Sequence, residues 1–151
     1  FPVEKNGQLL PYFITVSNKN AEERSHLDLV VEGNEHVIRA RFADADFFVR
    51  EDIKHKLEDF LPRLRTLTFQ VKLGSMYDKS QRVRAMLEPL AAELGLSLEE
   101  KRTALRAAEL CKADLATRMV VEMTSLQGMI GRHYALLSGD SQEVAQAIWE
   151  D

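Results

Sequence analysis

Ser97-Leu98-Glu99-Glu100-Lys101-Arg102-Thr103-Ala104-Leu105-Arg106-Ala107-Ala108-Glu109-Leu110-Cys111-Lys112 is the stretch on which the fold turns. Its first four residues form a capping box. The Ser97 hydroxyl meets the amide three residues on, and Glu100 reaches back to the Ser97 amide. Leu105, Ala108, Leu110 and Leu115 then follow as the apolar positions of a helix that begins there. Helical patterns lie on both sides of it. Tyr77 to Leu94 puts Val83, Met86, Leu87 and Leu90 on one side, Gly95 closes it, and Pro89 is expected to kink or split it. Ser125 to Leu137 reads as a further helix closed by Gly139, and Ser141 caps the last one.

Upstream the pattern is mixed. Pro11 to Val16 is β-branched and aromatic and reads as a strand. Ser17-Asn18-Lys19-Asn20 is a turn or helix entry, Ala21 to Val31 a short helix, and Gly33-Asn34 its break. Glu35 to Lys56 has helical spacing, with Val37, Ile38, Phe42, Ala45, Phe48 and Val49 near one face. Pro62 interrupts it, and Thr66 to Val71 has the composition of an extended segment. The expected fold is mainly α, a helical bundle with a short α+β N-terminal segment. Residues 1–70 form the N-terminal part and 71–151 the all-helical domain, with the boundary between Arg65 and Gly74. There is no internal repeat or low-complexity tract.

The 151 residues suit one modest domain with a partial neighbour, and 45% hydrophobic residues suffice for a core. A net charge of -4 gives no global basic field. The single cysteine, Cys111, cannot build an intrachain disulfide, and CxxC metal spacing is absent, which points to a reducing cytoplasm. No apolar run approaches the roughly 20 residues of a bilayer span. Phe1-Pro2-Val3-Glu4-Lys5 lacks the basic-then-apolar plan of a signal peptide. Both ends read as cut: the first residue is not Met, and the pattern Val144 to Trp149 stops without a C-cap. A segment of a larger protein is the expectation.

Candidate chemistry is sparse. Cys111 has no helical neighbour to act as its base and reads as a small buried apolar residue. His133 reads as a surface or partly buried histidine. Asp114 is expected to pair with Arg118 at i+4 on the surface. Gly128 and Gly131, one turn apart in the expected helix, imply close helix–helix approach, with Leu126, Met129, Ile130 and Tyr134 as core. Charge is concentrated in one place. Between Arg63 and Arg84 stand six basic residues, Arg63, Arg65, Lys72, Lys79, Arg82 and Arg84, against one acid, Asp78. Such a row can meet phosphates electrostatically, without reading bases. A solvated helix face with an ordinary linker is the competing explanation. Arg39 and Arg41, near Asp44 and Asp46, read as structural ion pairs.

The helix order resembles the HD phosphohydrolase fold. In that family the second core helix ends in Ala-x-Leu-Leu-His-Asp, whose His and Asp hold a divalent metal. The matching stretch here is Ala107-Ala108-Glu109-Leu110-Cys111-Lys112, so Cys111 replaces the His and Lys112 the Asp. An ammonium has donors only and cannot ligate a metal. None of His26, His36, His55 and His133 is followed by Asp. No metal and no catalytic residue are therefore expected.

Over nearly its whole length the chain resembles the β subunits of bacterial heterotetrameric glycyl-tRNA synthetases. Five collinear blocks carry the resemblance: Tyr12 to Asn18; Gly33 to Phe48; Leu57-Glu58-Asp59 through Phe69 to Lys79; Cys111 to Val120; and Leu126 to Ala135. Ala40 departs from the Pro that the family often has there, and Asp151 from the His-Tyr that tends to follow Glu150. The resemblance implies that residues 1–70 end a region similar to the editing-type domain of phenylalanyl-tRNA synthetase, and that 71–151 form most of an HD-like domain. It implies a non-catalytic tRNA-binding and scaffolding part of a ligase in the cytoplasm. Its partners would be tRNA(Gly), the α subunit and the rest of the β subunit. Glycine activation, with ATP and Mg, would belong to the α subunit, and no cofactor to this stretch. The alternatives are a metal-dependent HD-type phosphohydrolase and a purely structural interaction module.

Overall fold

The structure, a computed structural model, describes residues 1–17 and 24–151. The expected turn at 17–20 and the start of a helix at Ala21 fall largely on residues 18–23, outside the described ones. The chain divides into two compact units, Phe1–Arg41 and Phe42–Asp151.

The first unit begins with a hairpin of β1 (Pro2–Lys5) and β2 (Gln8–Phe13), paired antiparallel with Lys5 opposite Gln8. Asn6 and Gly7 form its turn, both at positive φ (54° and 74°). That conformation suits the right-handed twist of a tight hairpin and favours Asn-Gly. The turn fixes the register, so the strand expected at Pro11–Val16 lies nearer the N-terminus, at Gln8–Phe13. Helix α1 (Arg24–Asp52) follows, 29 residues long. It runs through Gly33, where a break was expected. A glycine inside a helix costs only about 1 kcal/mol against alanine, too little to end one whose neighbours on both sides favour it.

In the second unit, the last turns of α1 place Ala45, Phe48 and Val49 against the core, while Phe42 stays exposed. A 3-10 helix, Leu57–Thr66, follows and buries Leu57, Phe60 and Leu64. The tighter winding brings residues three apart onto one side. This segment belongs to the compact unit Phe42–Asp151. Strands β3 (Thr68–Gln70) and β4 (Gly74–Ser75) pair antiparallel.

Helix α2 (Met76–Glu93) opens on a capping box: Ser75 accepts from the Asp78 amide, and the Asp78 carboxylate takes the Ser75 N–H. It continues unbroken through Pro89, contrary to the expected split. Its apolar residues divide, with Val83 and Leu87 half-buried but Met86 and Leu90 exposed. The end is a glycine cap, with Gly95 at φ 65°, its own amide donating to the Ala92 carbonyl and the Leu96 amide to that of Ala91. Helix α3 (Leu98–Leu110) starts at the Ser97/Glu100 box as read from the sequence.

Beyond α3 come a 3-10 turn (Ala113–Ala116), α4 (Arg118–Glu122), a second 3-10 turn (Thr124–Leu126), α5 (Met129–Ser138) and α6 (Gln142–Glu150). The single helix expected over Ser125–Leu137 is thus two pieces, separated at Gly128, whose φ of 77° no α-helix contains. Gly139 in the left-handed region closes α5, and Ser141 caps α6 through the Val144 amide. The core joins Leu57, Leu110, Val120, Tyr134 and Ile148 with the small residues Ala113, Ala135 and Ala145. The fold is mainly α with a short α+β N-terminal part. Among the described residues, no helix is long and apolar enough to cross a membrane.

Candidate functional site

Cys111 caps the C-terminus of α3, is buried, and its Sγ lies 3.4 Å from the Ala108 carbonyl. Burial, reinforced by the charge of Asp151, pushes its thiol up to about 11, so it is not a thiolate at neutral pH. Lys112 is turned to the Asp151 carboxylate, with which it forms an ion pair. Among the described residues no group of three or more His, Cys, Asp or Glu side chains is placed to hold a metal ion. His36, His55 and His133 are exposed.

Asp114 overturns its expectation. It is completely buried, not on the surface, and its Oδ2 accepts from the Gly128 amide at 2.7 Å. The chain around it winds as a 3-10 turn, so the i+4 geometry that would reach Arg118 does not exist. Its other oxygen, Oδ1, has no hydrogen-bond partner among the described residues. Burial raises its pKa, opposed by the Gly128 amide and the Lys112 charge. Gly131 lies against it: an added Cβ would sit 2.8 Å from Ile148 Cγ2 and 3.0 Å from Asp114 Oδ2. Gly128 is not inside a helix but precedes α5, where a Cβ would come 3.3 Å from the Trp149 carbonyl. Of the core expected around these glycines, Ile130 and Tyr134 are buried and Leu126 is half-buried. Met129 is 55% exposed because the break at Gly128 re-phases the helix.

Two polar nodes escaped the sequence. Asp52, at the end of α1, is buried and accepts from the amides of Arg118 and Met119, both at 3.0 Å, and from the Tyr134 hydroxyl at 3.2 Å. It thereby supplies the first amides of α4 with an anion. Arg106 gathers Glu58 and Asp140, each at 2.7 Å, and Glu109 at 3.4 Å. Burial works against its charge, but the carboxylates of Asp140 and Glu58 outweigh it and raise its pKa. Only the Arg106–Glu109 pair, three residues apart, has a spacing that a sequence can show; the other partners lie 34 to 82 residues away.

The basic row is ordered. Arg63 lies over the Phe60 ring at 5.1 Å, Arg65 over Tyr77 at 4.2 Å, and the Lys79 ammonium over Phe69 at 4.7 Å. Arg82 donates from Nη1 to the Leu73 carbonyl at 2.8 Å. Such stacking fixes the cations while leaving their charge outward. Lys72 and Arg84 are exposed and, among the described residues, have no ion-pair or side-chain hydrogen-bond partner. The one acid of the row is exposed but engaged in its helix cap. The Asp78 carboxylate takes the N–H and O–H of Ser75, at 2.8 and 2.7 Å, and these bonds hold its pKa below the usual range. The structure therefore joins Arg65, Lys72, Lys79 and Arg82 around the β3–β4 hairpin, with Arg63 before it and Arg84 farther along α2. Arg39, Arg41 and Asp44 are exposed on α1, and the ion pair of Asp46 is with Arg50, one turn on, at 2.9 Å.

Comparison with known proteins places these features in a family. The model described as "Glycyl-tRNA synthetase beta subunit" matches residues 1–151. The chain is similar to the glycine–tRNA ligase β subunit of Trichodesmium erythraeum, 47% identical over 146 residues, 97% of this chain and 20% of the relative. It is similar to that of Actinobacillus pleuropneumoniae, 47% identical over 151 residues, 99% of this chain and 21% of the relative. That of Clostridioides difficile is 47% identical over 150 residues, 99% and 21% respectively. The chain spans about a fifth of the length of these curated relatives.

Proposed function

The chain belongs to the glycyl-tRNA synthetase β-subunit family, and from this premise we propose that it is a non-catalytic segment that binds tRNA(Gly) and braces the subunit around it. The helical unit is an HD-like scaffold whose chemistry is gone. Glycine activation with ATP and Mg belongs to the α subunit of the same heterotetramer in the cytoplasm, and this stretch carries no cofactor of its own.

The observation that carries the RNA reading is the row from Arg63 to Arg84. Three of its cations are braced on aromatic rings, and its only acid is consumed by a helix cap. The surface is thus cationic although the whole chain has a net charge of -4. Phosphates would be met there by charge, each one neutralised releasing counterions. The pairing of Lys112 with Asp151 and the burial of Cys111 speak against metal-dependent hydrolysis, since neither side chain offers a lone pair to an ion from water.

The test uses the whole synthetase and tRNA(Gly), with affinity measured across a salt series. Lys72→Glu/Arg84→Glu is the informative variant, because neither side chain braces the fold. Expected is a weaker complex whose log–log salt slope falls by roughly 0.7 to 0.9 for each phosphate no longer neutralised. An unchanged slope would remove the RNA contact and leave the purely structural module.

A further inference from the structure

We propose that the tip of the β3–β4 hairpin, Val71-Lys72-Leu73 together with Phe69, is a stacking surface for an unpaired nucleotide of the bound RNA. The proposal rests on the RNA-binding reading above and goes beyond it, from the phosphates to a base.

The tip is held rigid by bonds that do not involve its side chains. The Leu73 amide donates to the Gln70 carbonyl at 2.9 Å, closing a four-residue turn. The Gln70 side-chain oxygen accepts from the Lys72 and Leu73 amides at 2.7 and 3.0 Å. Arg82 fixes the Leu73 carbonyl from α2. The two central positions of this turn are Val71 and Lys72. Turn centres ordinarily use Gly, Pro, Asn, Asp or Ser, and a β-branched residue there serves no conformational purpose. Nor does Val71 serve the core, since it is 92% exposed; Leu73 is 51% exposed and Phe69 39%. Three apolar side chains within five residues are more than the scattered exposure of an ordinary surface.

The charge around them selects the occupant. Lys72, Lys79, Arg65 and Arg82 flank the tip, and the Asp78 carboxylate is already engaged. An apolar surface inside a cationic rim suits a polyanion that also presents flat apolar faces, which an unstacked nucleotide does. A second exposed apolar row among the described residues, Met86, Leu90, Leu94 and Leu98, is accompanied by Glu88, Glu93 and Glu99 and lacks this complementarity.

The experiment again uses the whole synthetase with a tRNA(Gly) transcript. Val71 is replaced by the photo-reactive p-benzoylphenylalanine, and the crosslinked nucleotide is mapped. In parallel, affinity and salt slope are measured for Val71→Ser/Leu73→Ser and for the conservative Val71→Ile. Expected are a crosslink to an unpaired nucleotide, about tenfold weaker binding for the serine variant at unchanged salt slope, and near-normal binding for Val71→Ile. Crosslinks only to paired nucleotides, only to protein, or to nothing overturn the proposal, as does full affinity of the serine variant. Should Lys72→Glu/Arg84→Glu keep the wild-type salt slope, the RNA interface itself fails. If that slope falls while the Val71 arms show no effect, the stacking inference alone is overturned.

Discussion

Asp52 and Tyr134, 82 residues apart, share a buried hydrogen bond of 3.2 Å. The same carboxylate holds the first two amides of α4. Burial and the neighbouring Asp52 charge both raise the Tyr134 pKa, so the phenol stays protonated and donates. Asp52→Ala removes a helix cap and strands a buried hydroxyl, a combined loss of about 3 kcal/mol. Tyr134→Phe removes one bond to a charged acceptor and should cost about half of that. Urea unfolding of both variants checks the order; equal losses would mean that Asp52 acts through Tyr134 alone.

Asp114 sets a pH dependence. Burial raises its pKa in the folded chain above the ordinary value of 3.8. Between these two values the folded state binds more protons than the unfolded one, so this group's contribution to stability falls as pH rises through that window. Asp114→Asn keeps an oxygen for the Gly128 amide and never ionises. It should be at least as stable as wild type at pH 7, with its advantage disappearing below pH 3.8. Stability curves of the two proteins against pH give the answer, and parallel curves would rule out Asp114 as the titrating group.

Two glycines in helices should respond in opposite directions. At Gly131 an added methyl meets Ile148 and Asp114 at 3.0 Å or less. Gly131→Ala is therefore expected to lose about 1–3 kcal/mol through overpacking, despite the better helix former. At Gly33 nothing lies within 4 Å, and Gly33→Ala should gain up to about 1 kcal/mol. Thermal melts of the pair measure both signs.

Arg106 and Arg50 offer a similar contrast between ion pairs. Arg106 is 32% exposed and its partner Asp140 10%, whereas Arg50 and Asp46 are 72% and 60% exposed. A double-mutant cycle on Arg106 and Asp140 should give a coupling of about 1–2 kcal/mol after allowance for screening. The cycle on Arg50 and Asp46 should stay below about 0.5 kcal/mol.

What the sequence made legible follows from distance along the chain. The Ser97/Glu100 box, the Ser141 cap and the glycine ends at Gly95 and Gly139 are local devices, and each lies where its residues announced it. The family blocks were equally open to reading. The capping of α4 by Asp52 spans 66 residues and could not be seen from spacing. Asp114 was misread for a related reason: helical spacing was assumed where the chain winds as a 3-10 turn and carries the acid inward. The cations of the basic row were legible, but not the rings beneath three of them, because the pairs Arg63/Phe60, Arg65/Tyr77 and Lys79/Phe69 share no common spacing along the chain.

The wrapping of the β3–β4 turn by Gln70 has a practical meaning for engineering. Loop shape is encoded at position 70 and in Arg82, so the letters at 71 and 72 are uncoupled from folding. A library randomised at those two sites should yield intact proteins that differ chiefly in what they grip, and a change of Gln70 should scramble every member alike.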